Sequence, residues 1–378
     1  MALPQARADE RRRPVAGDAE LRAASADLRA GDLLLLAPGN YRGGLSLSDL
    51  HGTAAEPIVI AGADPEHPPT FVGGNEALHL TRPRHVVVRD LVVRGQPGNG
   101  INVDDGGPGK GAASHVRVLR VRFEGVGPRG NHDALKLSGL TDFEVSECEF
   151  LGWGGSAIDL VGCQRGVISG CTLRGQPECS QHSGIQAKGG TAQVVIRGCR
   201  FEGAGERAVN LGGSTGLEWF RPQHAPYEAK DLTVEGCRFR DSQAFVAFVG
   251  VDGALVRRNT FYRPRRWVLR ILQESQGERF VPCRGGVFED NLIVFRRAEL
   301  HRFVNVGEHT AAESFVFRRN AWFASDGAAP ADHRPQLPTP EADGTYGVRP
   351  GLDPESLELA PQSPLHGRGA DGFVPAPR

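Results

Sequence analysis

The sequence predicts an all-β protein, a single-stranded, right-handed parallel β-helix of about ten coils with a short N-terminal capping helix. Three observations predict this fold. The 378 residues include 50 Gly and 26 Pro but one Met, which is typical of a turn-rich chain. A six-residue motif recurs along the chain at a coil-like period, and a shorter strand pattern accompanies it.

The recurring motif has an apolar first residue, an apolar sixth residue, and Cys, Asn or an apolar residue at position four. These fourth positions, 22 to 38 residues apart, are Leu91, Val121, Cys148, Cys171, Cys199, Cys237, Asn259, Asn291 and Asn320. Apolar residues at alternate places indicate strands, and the period fits one solenoid coil. Propeller blades need about 40 residues each, so the repeats are too short for them. We expect the Cys and Asn residues to stack as two structural ladders at one corner of the coil.

The two ends of the chain differ from the repeats. Residues 1–28 are charged and Ala-rich, and the segment from Asp18 to Leu28 is typical of a short helix that covers the first coil. Residues 29–325 are predicted to form the β-helix, and residues 326–378 a Pro-rich tail packed along it. The N-terminus lacks the apolar stretch of a secretory signal, so we expect an intracellular protein or an exported one whose signal has been removed.

Composition excludes several classes of partner and site. A formal net charge of −1 argues against nucleic-acid binding. The sequence has no run of about 18 apolar residues, so no membrane span is predicted. The seven cysteines include no CxxC pair, which argues against a metal cage or a dense disulfide framework. We expect a monomer.

The shorter strand pattern predicts an outward-facing column of side chains. In Ala134-Leu-Lys136-Leu and its equivalents, the apolar residues fill the interior and the third residue points to solvent. This column is Asn102, Lys136, Asp159, Gln186, Asn210, Ala247, Arg270 and Asn305. With its flanking residues it predicts one polar patch over four coils, composed of His132, Asp133, Lys136, Asp159, His182, Gln186, Lys188, Glu206, Arg207 and Asn210. Two of the chain's four lysines lie in it, and this mixture of residue types favours a functional surface over a merely solvated one.

A long insertion from Leu217 to Lys230 follows the densest part of the patch. Long loops beside polar patches usually form functional walls. The predicted substrate-binding residues are Asp133, Asp159, Gln186, Glu206, Asn210, Glu218, Trp219, Arg221, Tyr227 and Arg270. Aromatic residues of the insertion either stack on sugar faces or pack locally within the loop.

An open groove lined by Lys, Arg and His favours an acidic polysaccharide or oligosaccharide containing uronic acid. In β-elimination a base removes the C5 proton while Arg207, Gln186 and Asn210 neutralise the adjacent carboxylate. Lys188 or His182 is the predicted base, with Lys136 and His132 as second choices. C5 epimerisation shares this first step.

Other functions stay open at this point. A non-catalytic glycan-binding or scaffold protein is the main alternative, and a glycoside hydrolase that uses Asp133, Asp159 and Glu206 is the third. Ca²⁺ could replace the neutralising donors, but Asp104 and Asp105 near Asp133 are few ligands, so no metal site is predicted and Ca²⁺ stays possible.

Three segments resemble the pectate-lyase-like superfamily of right-handed parallel β-helix proteins. Ala30 to Tyr41 and Gly52 to Gly62 are similar to the first coil of alginate lyases and chondroitinase B-like lyases, and Asp353 to Leu365 resembles a common closing segment. The resemblance covers roughly residues 30–370. It implies a catalytic Lys and Arg on consecutive coils. Lys188 sits where that Lys would be, whereas the Arg position falls near Leu211, four residues after Arg207. The stretch from His182 to Gly216 looks closer to uncharacterised bacterial β-helix proteins.

Overall fold

The computed structural model describes residues 11–374. These residues divide into two compact units. Within the described residues the first unit comprises 11–159 and 163–181, and the second comprises 160–162 and 182–374. Each unit contains three parallel sheets, here named A, B and C, and the chain visits sheets C, A and B in turn in each coil. The predicted parallel β-helix is confirmed.

The strands of the first unit follow chain order within every sheet. Sheet A contains β1 (Arg11–Val15), β2 (Asp32–Leu36), β5 (Ile58–Gly62), β8 (Arg84–Arg89), β11 (Ala113–Leu119), β14 (Leu140–Ser146) and β17 (Gln164–Ser169). Sheet B contains β3 (Asn40–Arg42), β6 (Thr70–Val72), β9 (Val92–Arg94), β12 (Arg122–Val126), β15 (Glu149–Trp153) and β18 (Thr172–Arg174). Sheet C contains β4 (Leu45–Ser48), β7 (Leu78–Thr81), β10 (Ile101–Asp104), β13 (Leu135–Ser138) and the first four residues of β16 (Ser156–Val161).

The second unit repeats this order. Sheet A contains β20 (Thr191–Arg197), β23 (Ala229–Glu235), β26 (Val251–Arg257), β29 (Arg284–Glu289), β32 (Val316–Arg318) and β34 (Glu341–Ala342). Sheet B contains β21 (Arg200–Glu202), β24 (Arg238–Arg240), β27 (Thr260–Tyr262), β30 (Leu292–Phe295), β33 (Ala321–Ala324) and β35 (Thr345–Tyr346). Sheet C contains β19 (Ser183–Lys188), β22 (Arg207–Gly212), β25 (Ala244–Val249), β28 (Trp267–Leu272) and β31 (Val304–Val306). Short 3-10 helices span Leu217–Trp219, Ala312–Ser314, Pro330–His333 and Gly369–Gly372.

The recurring motif, expected to be one strand, is two short strands joined by a corner. In the first unit it runs from the end of β14 through Cys148 into β15. The residue before the corner has a left-handed backbone, with φ of 57° at Glu147 and 63° at Gly170. Glycine adopts this conformation without the cost that a Cβ imposes, which explains why Gly precedes three of the four cysteines of the motif.

The predicted asparagine ladder is confirmed as a chain of hydrogen bonds in the second unit. The backbone N–H and Nδ2 of Asn259 both donate to Oδ1 of Asn291, at 2.9 and 3.1 Å. The same two groups of Asn291 donate to Oδ1 of Asn320, both at 3.0 Å. All three side chains are fully buried, so the ladder satisfies polar groups that water cannot reach.

Replacing Asn291 with Ala should lower the free energy of unfolding by about 2–4 kcal/mol. The change leaves the Asn259 N–H and the Val256 carbonyl, to which Asn291 Nδ2 donates at 3.0 Å, buried without partners. Urea unfolding of the variant measures the loss, with Asn40→Ala, at an exposed position of β3, as the control. Equal stability of the two variants would contradict a structural role for the ladder.

Aromatic stacks fill the interior of both units. The rings of Phe123 and Phe150 stack at 4.7 Å in the first unit, and those of Phe201 and Phe239 at 4.5 Å in the second. Each pair lies on neighbouring sheet B strands in direct register. Equivalent residues of successive coils therefore pile up in the core, as the motif predicts.

The ends of the described chain extend beyond the predicted β-helix. The predicted helix is present as α1 (Asp18–Ser25), with Leu21 buried, but β1 precedes it and pairs with β2. At the other end β34 and β35 add to sheets A and B of the second unit. Residues 1–10 and 375–378 of the predicted terminal segments lie outside the described residues.

The later part of the predicted tail packs along the second unit. Arg200 Nη1 donates to the carbonyl of Ser356 at 2.9 Å, and Arg240 Nη1 lies 2.7 Å from Oε2 of Glu355. No helix among residues 11–374 is both long enough and apolar enough to cross a membrane.

Candidate functional site

The predicted patch residues are distributed over both units. His132, Asp133, Lys136 and Asp159 belong to the first unit, and the residues from His182 onward belong to the second.

The second unit carries a row of equivalent positions on sheet C. Strand register places Gln186, Asn210, Ala247, Arg270 and Asn305 side by side on β19, β22, β25, β28 and β31. The predicted column is therefore present here, and we call these five residues the outer row. These residues were expected to point to solvent. Gln186, Arg270 and Asn305 are half-buried, whereas Asn210 and Ala247 are buried, so the expectation is wrong at those two positions.

Arg207 is the group that reaches over Asn210. It precedes Asn210 by three residues on β22, and its Nη1 donates to Oδ1 of Asn210 at 3.3 Å. Its Nη2 donates to Oε1 of Glu274 at 2.7 Å, and Glu274 lies in the loop after β28. One guanidinium therefore joins the outer row to a loop that is 67 residues away in sequence.

Arg270 supplies a second guanidinium in the outer row. Its Nε donates to Oδ1 of Asn305 at 3.0 Å, and its guanidinium lies 4.4 Å from the centre of the Trp267 ring. Burial lowers the pKa of Arg270 from its ordinary value, and the nearby positive charge of Arg207 lowers it further. The carboxylates of Glu274 and Glu206 oppose this shift, and Glu274 is already ion-paired with Arg207.

Lys188 ends β19 next to the outer row. It is half-buried, and its Nζ donates to Oε1 of Gln186 at 3.1 Å. Gly213 approaches both side chains, since a Cβ there would lie 2.7 Å from Gln186 Nε2 and 3.4 Å from Lys188 Cδ. The predicted residues His182 and Glu206 lie exposed just before β19 and β22.

The insertion loop, residues 213–228, joins β22 to β23 and presents some of the predicted binding residues. Trp219 and Glu218 are exposed, whereas Arg221 is half-buried and its Nη1 donates to the carbonyl of Trp219 at 2.9 Å. Tyr227 packs against Lys230 of β23, whose Nζ lies 5.8 Å from the ring centre. The structure therefore places Tyr227 with sheet A rather than with the outer row on sheet C.

A pocket in the loop that follows β28 escaped the sequence analysis. Its volume is about 250 Å³, and its lining residues are Gln273, Ser275, Gln276, Gly277, Phe280, Pro282 and His309. These residues carry no repeat or motif, so no sequence signal identifies them.

In the first unit Lys136 is held between two buried carboxylates. Its Nζ donates to Oδ2 of Asp133 at 2.8 Å and to Oδ2 of Asp159 at 2.9 Å, and these carboxylate side chains are 2% and 1% exposed. Burial and the charge of Asp159 raise the pKa of Asp133 to about 6. Burial opposes the charge of Lys136, but the two carboxylates outweigh it and raise the pKa of Lys136. Lys136 is therefore a fixed cation, which argues against its predicted role as a second-choice base.

His79 forms a similar cluster that the sequence analysis missed. Its Nε2 lies 2.6 Å from Oδ2 of Asp104 and its Nδ1 lies 3.1 Å from Oε2 of Glu76. Hydrogen bonds to Asp104 and Glu76 raise the pKa of His79 to about 10. Register places His79 beside Asn102, and Asn102 beside Lys136. The segment Leu78-His79-Leu80 has the same strand pattern and lies one coil before Asn102, the first residue of the predicted column. Extending the column by one coil would therefore have identified His79.

Replacing His79 with Gln should remove part of the alkaline loss of stability. Because the folded pKa lies near 10 and the unfolded value near 6.5, His79 stabilises fully below pH 6.5 and loses this contribution as the pH rises towards 10. With a third of the side chain exposed, the expected contribution is on the order of 1–2 kcal/mol. Thermal unfolding of both proteins across this range measures the difference. His224→Gln, at an exposed position, is the control, and parallel pH curves for His79→Gln and the unaltered protein would contradict the ion cluster.

The acidic residues considered for calcium are engaged separately. Oδ1 of Asp104 accepts from the Gly106 N–H at 2.8 Å, and Oδ1 of Asp105 accepts from the Gly107 N–H at 2.9 Å. Among residues 11–374 no group of three or more His, Cys, Asp or Glu residues is arranged to hold a metal ion. His132, the remaining predicted residue of this unit, is exposed.

Comparison with known proteins identifies the family. The model of a family described as the right-handed β-helix region matches residues 76–266, half of the chain. The chain belongs to the right-handed β-helix family. The predicted handedness and the resemblance to pectate-lyase-like β-helix proteins are thereby confirmed. No curated protein matches the sequence of this β-helix protein.

Solved structures that resemble this β-helix protein include polysaccharide lyases and glycoside hydrolases. An alginate lyase from Paenibacillus sp. str. FPU-7 has 17% identity and a TM-score of 0.56, over 79% of this chain and 99% of that one. Pectate lyase Pel9A has 16% identity and a TM-score of 0.53, over 95% and 92%. A GH136 lacto-N-biosidase from Eubacterium ramulus has 12% identity and a TM-score of 0.59, over 89% and 67%. At these identities the likeness is one of fold.

Proposed function

We propose that this protein is a carbohydrate-active enzyme that acts on an acidic, uronic-acid-containing polysaccharide, by β-elimination or by C5 epimerisation. The observation that carries the proposal is the outer row of the second unit. Arg207 on β22 donates to the side-chain oxygens of Asn210 and Glu274, and Arg270 on β28 donates to the side-chain oxygen of Asn305. Such donors suit the carboxylate of a uronate, because guanidinium groups match carboxylate geometry.

The chemical step divides between charge neutralisation and proton transfer. Guanidinium groups at the carboxylate stabilise the negative charge that develops as the C5 proton leaves. Lys188 accepts that proton, since it ends the strand that contributes Gln186 to the outer row. In β-elimination the C4–O4 bond then breaks as the C4–C5 double bond forms, and the ammonium of Lys188 returns the proton to O4. In epimerisation a water molecule on the opposite face donates a proton to C5, the ammonium of Lys188 releases the abstracted proton to solvent, and no bond to O4 breaks.

Hydrolysis is less favoured by the geometry. It needs two carboxyl groups that flank the glycosidic bond, one of them as a proton donor. Asp133 and Asp159 are the paired acids of the first unit, but both are buried and both bind the same Lys136 Nζ. That arrangement suits a structural ion cluster.

The experiment incubates the purified protein with alginate, pectate and glycosaminoglycans, with added Ca²⁺ and with EDTA. The alginate lyase and pectate lyase among the similar structures motivate the first two polymers, and Ca²⁺ is included because it could add neutralising charge. Absorbance of the unsaturated product reports elimination, and proton NMR reports epimerisation. New reducing ends without unsaturation would replace the proposal with hydrolysis, and glycan retention without turnover would favour a binding protein.

A further inference from the structure

We infer that the insertion loop forms a rigid aromatic platform on which Trp219 stacks against a sugar unit next to the one that reacts. The inference rests on the proposed substrate class and adds a binding subsite to it. Trp219 is 51% exposed and Leu217, on the same 3-10 turn, is 54% exposed. The other three tryptophans, Trp153, Trp267 and Trp322, are buried.

The insertion loop is held from inside by a buried carboxylate. Glu228 is fully buried, and its side-chain oxygens accept from the Gly189 N–H at 2.8 Å, the Thr215 N–H at 3.0 Å and the Thr215 hydroxyl at 2.8 Å. The Ser275 hydroxyl donates to the same carboxylate. These bonds satisfy a charge that would be costly to bury alone, and they fix both ends of the loop.

A second loop supports the middle of the insertion loop. Arg279 donates to the carbonyls of Ala225 and Gln223, at 2.9 and 2.7 Å. Phe220 is fully buried, with the Arg279 guanidinium 4.4 Å and the Phe280 ring 5.6 Å from its centre. Phe220 follows Trp219 directly in the chain. Because the Phe220 side chain is held in the interior, the backbone of the exposed Trp219 is held in place as well. The indole is therefore presented by a preorganised loop, which lowers the entropic cost of binding.

The platform is attached beside the proposed base. Gly189 directly follows Lys188, and its N–H donates to Glu228 while its carbonyl accepts from the Arg221 N–H at 2.9 Å. At the start of the loop, Gly213 approaches Gln186 and the stem of Lys188. A polymer whose uronate reaches Lys188 thus passes the residues that hold Trp219.

A sugar ring is the occupant that fits these features. The C–H face of a pyranose can pack on an indole, and Leu217 widens the apolar surface. The exposed area of two side chains is far below the roughly 800 Å² per partner that a stable protein interface buries. Carboxylate-binding groups of the outer row lie on the same unit, so an acidic glycan meets both kinds of contact.

The first test uses tryptophan fluorescence of the Lys188→Ala variant, which should bind without turnover. Because Trp219 is the exposed tryptophan, acrylamide quenching reports mainly on it. We expect oligouronides from alginate or pectate to protect it once the oligomer exceeds a minimum length. Unchanged quenching at saturating oligomer, in a protein whose parent forms product, would overturn the platform. Protection without product from the parent protein would support the platform and reject the proposed reaction.

The second test compares kinetics across oligomer lengths. Trp219→Ala should raise KM for long substrates about tenfold and change the shortest substrates little, whereas Trp219→Phe should keep most of the affinity. Val316→Ala, at another exposed apolar residue of the second unit, is the control and should leave every KM unchanged. An equal loss of kcat at all lengths in Trp219→Ala would overturn the inference.

Discussion

Replacing Lys188 with Ala is expected to lower turnover of the uronate polymer by about 10²–10⁴-fold, the usual contribution of a positioned base. Lys188 is half-buried beside Gln186 and next to the turn that holds the insertion loop. Its removal deletes the proton acceptor but leaves Arg207 and Arg270 to bind the carboxylate. We therefore expect kcat to fall while KM and retention on a glycan affinity column change little, as initial rates and retention volumes will show.

Two further variants separate proton transfer from charge. Lys188→Arg keeps the positive charge but replaces the amine with a group that stays protonated, so it should be nearly as inactive as Lys188→Ala. Lys110→Ala, at an exposed loop position of the first unit, should keep full activity. Substantial activity in both Lys188 variants would remove Lys188 from the chemistry and would favour a different base.

Replacing Lys136 with Met should lower the free energy of unfolding by about 3–5 kcal/mol near neutral pH. The change leaves the carboxylates of Asp133 and Asp159 buried together without their shared cation. Without that cation the folded pKa of Asp133, which is already raised to about 6, should rise further. An acid with a raised folded pKa loses stability as the pH rises through that pKa, so the deficit should shrink as the pH falls towards 4. Urea unfolding at several pH values measures this.

Neutralising the acids should rescue the Lys136 variant. Adding Asp133→Asn and Asp159→Asn to Lys136→Met removes the buried charges. The amide oxygen introduced at position 133 can still accept from the Ser156 N–H, which in the unaltered protein donates to Asp133 Oδ1 at 2.8 Å. We expect most of the lost stability to return. A deficit that is independent of pH, or a triple variant no more stable than Lys136→Met, would show that lost packing rather than unpaired charge is responsible.

The coil repeat could be predicted because identical physical demands recur in every coil. Val145, Cys148 and Phe150 fill an interior that the equivalent residues of the next coil also fill, so the pattern is visible without coordinates. The division of this motif into two strands was not predictable from alternation, because the left-handed residue Glu147 turns the chain without interrupting the apolar spacing. The strand β1 escaped for a different reason, since RRRPV lacks the apolar pattern of the other strands.

Strand register brings the outer-row residues together, and the sequence contains that information. Gln186, Asn210 and Arg270 were expected to align and do so. The sequence does not contain the contacts of long side chains, such as the bond from Arg207 to Glu274 in a loop without a repeat. Likewise, outward direction did not imply exposure at Asp159, because an outward carboxylate can be covered by its partners.

The asparagine ladder has a direction. The backbone N–H groups at the corner all donate towards the next coil, from Cys237 to Asn259, from Asn259 to Asn291, from Asn291 to Asn320 and from Asn320 to Oε1 of Glu341. Each Asn Nδ2 donates both forward along this series and back to a carbonyl of an earlier coil. Aligned amide dipoles polarise one another, and a carboxylate at the acceptor end completes the series. Glu341 also accepts from the Trp322 indole and the Tyr346 hydroxyl at its second oxygen, so it acts as a terminator. A coil inserted into this region would need an Asn or Gln at its corner to continue the hydrogen-bond series. Truncation of the chain before Glu341 would leave the Asn320 N–H and Nδ2 without the carboxylate that accepts from them.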